Sequence, residues 1–159
     1  MYKIIYHITT AHPRDDIRIF HKECKSLKKA GYTVCLVVAD GRGDELVDDI
    51  QVFDVGKPKS RNHRFFKTGK LIYKLLLHKK PSLIHFHDPE FLFYAKKLRN
   101  KGFSVIYDVH EDVSKQLLNK PYLPKTIAKF ISVFFMQYEQ RLSKHFSAIV
   151  ASTPIIASK

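Results

Sequence analysis

The chain has 159 residues, of which 45% are hydrophobic and 27% are charged, with 6 glycines and 7 prolines. This composition is typical of an ordinary globular domain and excludes collagen-like, low-complexity and wholly disordered proteins. Lys and Arg number 28 against 15 Asp and Glu, and the resulting net charge of +13 favours polyanions, anionic lipid surfaces or phosphorylated ligands as partners. The length suits one domain with one core.

The first predicted strand, at residues 3–8, is followed by a predicted helix. The apolar residues of this helix recur at helical spacing from Ile17 to Leu27, and Ala30-Gly31 predicts where the helix ends. Five more short, β-branched segments predict strands at residues 33–39, 50–55, 83–86, 104–109 and 147–151. Strands that alternate with helices predict an α/β fold, here a single Rossmann-like, doubly wound parallel sheet with helices on both faces.

Two cysteines, Cys24 and Cys35, are too few for a disulfide framework, and the N-terminus lacks the pattern of a signal peptide. We expect both thiols to be reduced and mostly buried, one on the apolar face of the first helix and one in a central strand. The longest apolar stretch, residues 130–136, is far shorter than the roughly 20 residues of a membrane-spanning helix. The sequence therefore predicts a cytoplasmic protein.

Titratable residues follow the predicted strands at their carboxyl ends. They lie in residues 9–18, 40–43, 85–90 and 108–112, whereas the opposite ends carry ordinary turn residues such as Lys101-Gly102. Ligands of doubly wound sheets bind along the carboxyl edge. The density of His, Asp and Glu there predicts a functional cleft.

His85 and His87 lie two residues apart at a strand end, which places both imidazoles on one face, as in several metal sites. Asp88, His110 and Asp112 could complete the ligand set. No cysteine pair and no His-Glu-x-x-His motif accompanies them, which argues against a metal. For His87, a neutral imidazole hydrogen-bonded to a backbone group in the cleft is preferred to metal ligation. We expect no metal and no cofactor.

The loop at residues 9–18 enters the first helix, whose N-terminus favours an anion. It lacks the glycines of dinucleotide-binding and P-loop motifs, so the sequence does not support those functions. Asp15 and Asp16 are natural N-cap residues, and capping explains them at least as well as ligand binding does. Arg14 and Arg18 either hold a phosphate or pair with these two acids.

His110 is followed directly by Glu111 and Asp112. A carboxylate beside an imidazole raises its pKa and fixes its tautomer, which suits proton or charge transfer in a sugar or phosphate site. The alternative is an ordinary polar surface loop. The position of His110 at the end of a buried strand favours the functional interpretation.

Four longer motifs occur in order along the chain. They are His12-Pro13-x-x-Asp16-x-Arg18-Ile19-Phe20, Lys22-Glu23-x-x-Ser26-Leu27-x-x-Ala30-Gly31-Tyr32, Ile84-His85-Phe86-His87-Asp88-Pro89-Glu90 and Tyr107-Asp108-Val109-His110-Glu111-Asp112. The sequence resembles the N-terminal half of a family-4 glycosyltransferase of the GT-B fold, of the bacterial surface-polysaccharide or lipopolysaccharide type. The order of the four motifs makes the resemblance specific, and the resemblance itself extends over essentially the whole chain.

The resemblance implies that residues 1–159 form the acceptor-side domain of a retaining, metal-independent transferase whose other domain binds the nucleotide-sugar. It implies that His110 is the catalytic histidine beside the reacting sugar. It leaves open whether the loop at residues 12–18 contacts acceptor or diphosphate. The residues expected to bind acceptor or substrate are His12, Asp16, Arg18, His85, His87, Asp88, Glu90, Glu111 and Asp112.

The sequence has no counterpart of the donor-binding domain before it ends at Lys159. We therefore expect an isolated half, inactive alone: a truncated product, an excised domain, or a subunit of a split enzyme whose partner chain supplies the donor domain. The expected partners are a nucleotide-sugar, only with a C-terminal domain, and a glycan or lipid-linked acceptor. The alternative is a non-catalytic binding or interaction module. No nucleic acid is expected, because no recognition motif occurs.

Two basic and apolar stretches, residues 59–80 and 115–144, fit amphipathic helices. In one interpretation their apolar faces pack on the sheet and their lysines are merely solvated. In the other, the cationic surface rests on anionic lipid and brings the acceptor cleft to a lipid-linked sugar. The second interpretation predicts a peripheral protein at the inner face of the membrane.

Overall fold

A seven-stranded sheet forms the centre of the protein in a computed structural model that describes residues 3–121 and 123–157. The strands are β1 (Ile4–Ile8), β2 (Thr33–Val38), β3 (Glu45–Val47), β4 (Ile50–Asp54), β5 (Leu83–Phe86), β6 (Ser104–Val109) and β7 (Ala148–Ala151). Their order is β3-β4-β2-β1-β5-β6-β7, and every neighbouring pair is parallel except β3 with β4. The predicted α/β sheet is confirmed.

Strand β3 is a correction, because the sequence predicts only six strands. It forms an antiparallel hairpin with β4 through Asp48 and Asp49, whose φ angles are 49° and 59°. Two consecutive left-handed residues are the requirement of a tight hairpin turn, which usually contains glycine. The Asp-Asp pair gives no such signal.

The first helix, as predicted, covers residues 17–29. It begins with wide, π-type turns at Ile17–Cys24 and continues as α1 (Lys25–Lys29). The others are α2 (Arg61–His63), a π-type segment (Arg64–Thr68), α3 (Gly69–Lys79), a 3₁₀ turn (Pro89–Phe91), α4 (Leu92–Asn100), α5 (Val113–Leu118), α6 (Lys125–Ser143) and α7 (Pro154–Ala157). The basic stretch at residues 115–144 forms two helices, α5 and α6, because Pro121 and Pro124 interrupt it. None of the helices in the described ranges is long and apolar enough to span a membrane.

Different helices pack on the two faces of the sheet. In β2, Cys35 and Val37 pack into a core with residues of α3, α4 and α6, whereas the alternate residues pack against the first helix. The same alternation of side chains places His7, His85 and Asp108 on the face under the first helix. A polar cluster therefore lies between this helix and the carboxyl ends of β1, β5 and β6.

Candidate functional site

His12 and His110 meet at the carboxyl edge of the sheet, from the loops after β1 and β6. Their Nε2 atoms lie 3.2 Å apart. His12 Nε2 also lies 3.7 Å from Asp88 Oδ1, and His12 Nδ1 lies 3.4 Å from Asp16 Oδ2. The structure thus brings together four of the predicted site residues from three separate loops.

Asp88 is buried and holds the loop after β1 in place. Its Oδ2 accepts hydrogen bonds from Thr9 Oγ1 at 2.7 Å and from the backbone N–H of Thr10 at 2.6 Å. Because Oδ2 is engaged in this way, Oδ1 is the oxygen that faces His12. The loop is therefore fixed by the same carboxylate that contributes to the site.

His110 differs from the sequence prediction in its protonation. Burial lowers its pKa, and the neighbouring His12 and His87 lower it further, while Asp108 and Asp88 act in the opposite direction. The expected increase in the pKa of His110 from Glu111 and Asp112 was wrong, because both carboxylates are hydrogen-bonded to groups of α5. Glu111 accepts a hydrogen bond from Gln116, and Asp112 caps α5 by accepting from the Lys115 N–H. His110 is consequently neutral at pH 7.

A second group of histidines lies deeper, between the sheet and the first helix. The rings of His85 and His87 stack with centroids 4.9 Å apart, which confirms that they share a face, and His7 lies 4.6 Å from His85. His7 Nδ1 is 3.1 Å from His87 Nε2. Burial lowers the pKa of His85 to about 4 and that of His7 well below its usual range, so both are neutral at pH 7.

Arg18 connects this histidine group to two carboxylates. Its guanidinium donates to both oxygens of Asp108, at 2.8 Å each, and lies 3.1 Å from Glu23 Oε1. Burial alone would raise the pKa of Asp108, but the nearby His87 imidazole and the hydrogen bonds from Arg18 hold it well below the usual range. Burial and the nearby Asp108 raise the pKa of Glu23 to about 7.

The arginines of the first loop do not pair with Asp15 and Asp16, which corrects one of the two sequence interpretations. Asp16 instead caps the first helix, accepting hydrogen bonds from the backbone N–H groups of Arg18 and Ile19. The N-cap prediction for Asp16 is confirmed. Arg18 reaches the end of β6, as described above.

Arg14 is buried and clamps the loop after β1 to the loop after β2. It donates to both oxygens of Asp40 at 2.7 and 2.8 Å, to Glu45 at 2.7 Å and to the carbonyl of Gly43. The Arg14 guanidinium is therefore engaged in holding the two loops together, which is a structural role.

Glu90 lies apart from the histidines. Its carboxylate pairs with Arg64 at 2.7 Å, and it lines an apolar groove with residues that include Phe66, Phe93 and Phe134. Burial raises the pKa of Glu90. Of the predicted binding residues, Glu90, Glu111 and Asp112 thus have structural partners outside the His12–His110 pair.

Two residues of the polar cluster, His7 and Glu23, were not identified from the sequence. His7 pairs in register with His85 between β1 and β5, a relationship that only the sheet order reveals. Glu23 faces Arg18 five positions earlier, because π-type turns bring residues five apart to the same side of a helix. Ordinary helical spacing would have placed them on different sides.

The family model described as Glycosyltransferase Family 4 matches residues 18–158. This chain belongs to glycosyltransferase family 4. No curated protein matches it. Among solved structures, the family-4 chain is similar to sucrose-phosphate synthase from Thermosynechococcus elongatus, with a TM-score of 0.62 and 12% identity over 94% of this chain and 48% of that one.

Trehalose-6-phosphate synthase from E. coli, bound with UDP-2-fluoro glucose, is also similar, with a TM-score of 0.62 and 10% identity over 98% of this chain and 41% of that one. At these identities the comparison concerns the fold. The family-4 chain has the architecture of one Rossmann-like half of a GT-B fold, and it spans less than half the length of either protein.

Proposed function

We propose that this chain is the N-terminal, acceptor-side half of a retaining glycosyltransferase that moves a sugar from a nucleotide-sugar to a glycan or lipid-linked acceptor. The observation that carries the proposal is the convergence of His12, Asp88 and His110 at the carboxyl edge of the sheet. Ligands of doubly wound folds bind at that edge. Membership of glycosyltransferase family 4 supplies the reaction class.

His110 is the proposed catalytic residue. Its imidazole is half-buried and neutral at pH 7, so one ring nitrogen can donate a hydrogen bond while the other accepts one. Such a group can bind a sugar hydroxyl and respond to charge that develops in the transition state. His12 and Asp88, which lie beside His110 in the same site, are proposed to hold further hydroxyls.

The donor is proposed to bind mainly to the other half of a GT-B fold. The similar E. coli protein is bound with UDP-2-fluoro glucose, which supports a nucleotide-sugar as the donor class. In this arrangement the present half contributes His110, Arg18 and the loop after β1 to a cleft that closes between two domains. The Arg18 side chain remains partly exposed besides its bonds to Asp108, and it is proposed to meet an anionic group of the donor.

We propose a lipid-linked acceptor of the bacterial surface-polysaccharide type, reached by peripheral binding at the inner face of the membrane. The support is an aromatic surface, defined here as Phe65, Phe66, Phe93, Phe130 and Phe134, whose side chains are all exposed. The same helical segments carry lysines and arginines, including Lys67, Lys97, Lys129 and Arg141, of which Lys97 lies over the ring of Phe93. Exposed apolar and cationic groups side by side are typical of proteins that bind anionic lipid.

The proposed function is tested in the transferase that contains this half together with a donor-binding half. Replacing His110 by Ala should lower turnover by a factor of about 100 to 1000, as for other lost charge-stabilising contacts, and leave the unfolding free energy nearly unchanged. His145→Ala, which removes an exposed imidazole elsewhere, is the matched control. Full turnover in the His110→Ala enzyme would remove His110 from the site and contradict the proposal.

A further inference from the structure

Four side chains with metal-ligating atoms converge between the first helix and the sheet. Glu23, His85, His87 and Asp108 each offer one ligand atom, and these atoms all lie within 4.8 Å of one another. They come from three elements: the first helix, the end of β5 and the end of β6. The residues are distant in sequence, so the folded chain assembles the cluster.

We propose that this cluster binds a divalent transition-metal ion of the zinc class. Two imidazole nitrogens with two carboxylate oxygens form a donor set that suits Zn²⁺, whereas Mg²⁺ and Ca²⁺ prefer oxygen ligands alone. Ligands of a tetrahedral zinc ion lie about 3.4 Å from one another, given bonds of about 2.1 Å. Asp108 Oδ2 is 3.4 Å from His87 Nδ1 and 3.9 Å from His85 Nε2.

Three of the ligand residues carry buried polar atoms that make no hydrogen bond within residues 3–121 and 123–157. These atoms are Glu23 Oε2, His85 Nε2 and His87 Nδ1. Buried polar groups are nearly always paired, because leaving them without a partner is unfavourable. One cation at the centre of the cluster would satisfy all three atoms at once.

The charge of the cluster also favours a cation. The carboxylates of Glu23 and Asp108 face the single guanidinium of Arg18, so ionisation of both leaves one negative charge in excess. Arg18 contacts Glu23 through Oε1, which leaves Oε2 available to an ion. Asp108 Oδ2 accepts from Arg18 at 2.8 Å and, through a longer bond, at 3.3 Å, so an ion would take the place of the longer bond at this oxygen.

The surroundings of His87 match those of metal-bound histidines. Such a ligand usually has its second ring nitrogen held by a neighbouring group, which fixes the orientation of the ring. His87 Nε2 lies 3.1 Å from His7 Nδ1, and His7 is itself fully buried. With Nε2 held there, Nδ1 faces Asp108.

An ion at this position would fasten the first helix to β5 and β6. A metal that binds the folded chain and not the unfolded one stabilises the folded chain by an amount that grows with the logarithm of the metal concentration above its Kd. The ion is structural in this role and lies beside the His12–His110 pair, with His87 in contact with both groups. The inference therefore stands independently of the transferase activity.

The test uses the purified chain, stripped with EDTA and then dialysed free of chelator. Titration with ZnCl₂ in a calorimeter should give one ion bound per chain and a rise in melting temperature. Substitution by Co²⁺ should produce the visible absorption of a tetrahedral site with nitrogen and oxygen ligands. Absence of stoichiometric Zn²⁺ binding would overturn the proposal.

Variants distinguish this site from adventitious binding to other histidines. His85→Gln and Glu23→Gln should each weaken Zn²⁺ binding by at least about 10-fold, since even indirect partners of a metal contribute that much. His78→Gln changes an exposed histidine of α3 in the same way and should bind Zn²⁺ like the wild-type chain. Equal affinity in His85→Gln, Glu23→Gln and the wild-type chain would contradict the proposal.

Discussion

Arg18 and Asp108, 90 positions apart in the sequence, join the first helix to the end of β6. The guanidinium contacts both carboxylate oxygens at 2.8 Å, and the Asp108 side chain is fully buried while the Arg18 side chain is 37% exposed. When the pair is broken, the two side chains therefore differ in their access to water. Water can solvate the arginine, but it cannot reach the aspartate.

This difference predicts unequal losses of stability. Arg18→Met leaves a buried carboxylate without its cation and should lower the unfolding free energy by about 3 kcal/mol. Asp108→Asn leaves a partly solvated arginine and should cost about 1 kcal/mol. Urea denaturation in EDTA, completed by the double variant, measures both losses and their coupling. A larger loss for Asp108→Asn would contradict this account of the pair.

The sequence was sufficient to predict the strands that carry the core, because five of the six predicted segments are buried, at least in part, and bounded by turns. It was not sufficient for β3. The hairpin of β3 and β4 requires Asp48 and Asp49 to adopt the left-handed conformation, which these residue types do not predict. The division of the second basic stretch into α5 and α6 was readable in principle from Pro121 and Pro124. Apolar periodicity obscured it.

The candidate site shows the same limit more strongly. The carboxyl-edge rule was enough to bring His12, Asp88 and His110 together, since it depends only on sheet topology. It did not reveal which carboxylates face which imidazoles. The lowered pKa of His110 arises from burial and from histidines in other loops, and the cluster around Glu23 depends on the pitch of the first helix.

The Arg14–Asp40 pair makes stability sensitive to acid. Hydrogen bonds from Arg14 lower the pKa of Asp40 in the folded chain, so the pair contributes its full stability above the unfolded value of about 4. That contribution is lost as the pH falls towards the lower folded pKa. Between pH 6 and pH 3 the wild-type chain should lose more unfolding free energy than Asp40→Asn does. Parallel pH profiles for the two proteins would show that the pair has no such effect.

Cys24 and Cys35 are free and buried, as predicted, and should react slowly with thiol reagents. Burial raises the pKa of both thiols, so very little reactive thiolate is present at pH 8. Labelling with a chromogenic disulfide should be slow in buffer and fast for both thiols in urea, which serves as the control. Rapid labelling of the folded chain would show that one of the two thiols is accessible.

Residues 1–159 alone should bind nucleotide-sugars weakly or not at all and transfer nothing. The proposed division of labour assigns most donor contacts to the other half of the GT-B fold. Calorimetry with UDP-, GDP- and TDP-sugars measures this directly, and the same titration in a transferase containing both halves is the positive control. Sub-micromolar binding of any of these sugars to residues 1–159 would place donor contacts in this half.

The aromatic surface predicts binding to anionic membranes. Phe66, Phe130 and Phe134 are 71%, 75% and 65% exposed, and Phe134 lines a groove of about 410 Å³ together with Phe66. Burial of these rings in lipid removes apolar surface from water, which favours binding. Each Lys or Arg near an anionic surface adds about 1 kcal/mol to the binding free energy. Lys97 already lies 4.4 Å above the ring of Phe93, so cation and apolar group are presented together.

Co-sedimentation with vesicles tests this binding. The chain should sediment with vesicles that contain an anionic lipid and be released by salt, because charges are screened beyond about 8 Å at 0.15 M ionic strength. Phe130→Ser and Lys129→Glu should each weaken binding several-fold. Lys22→Glu makes the same charge change on the first helix, which covers the opposite face of the sheet, and should have a smaller effect. Equal binding to neutral and anionic vesicles, or none at low salt, would show that the positive charge of this surface is only solvated.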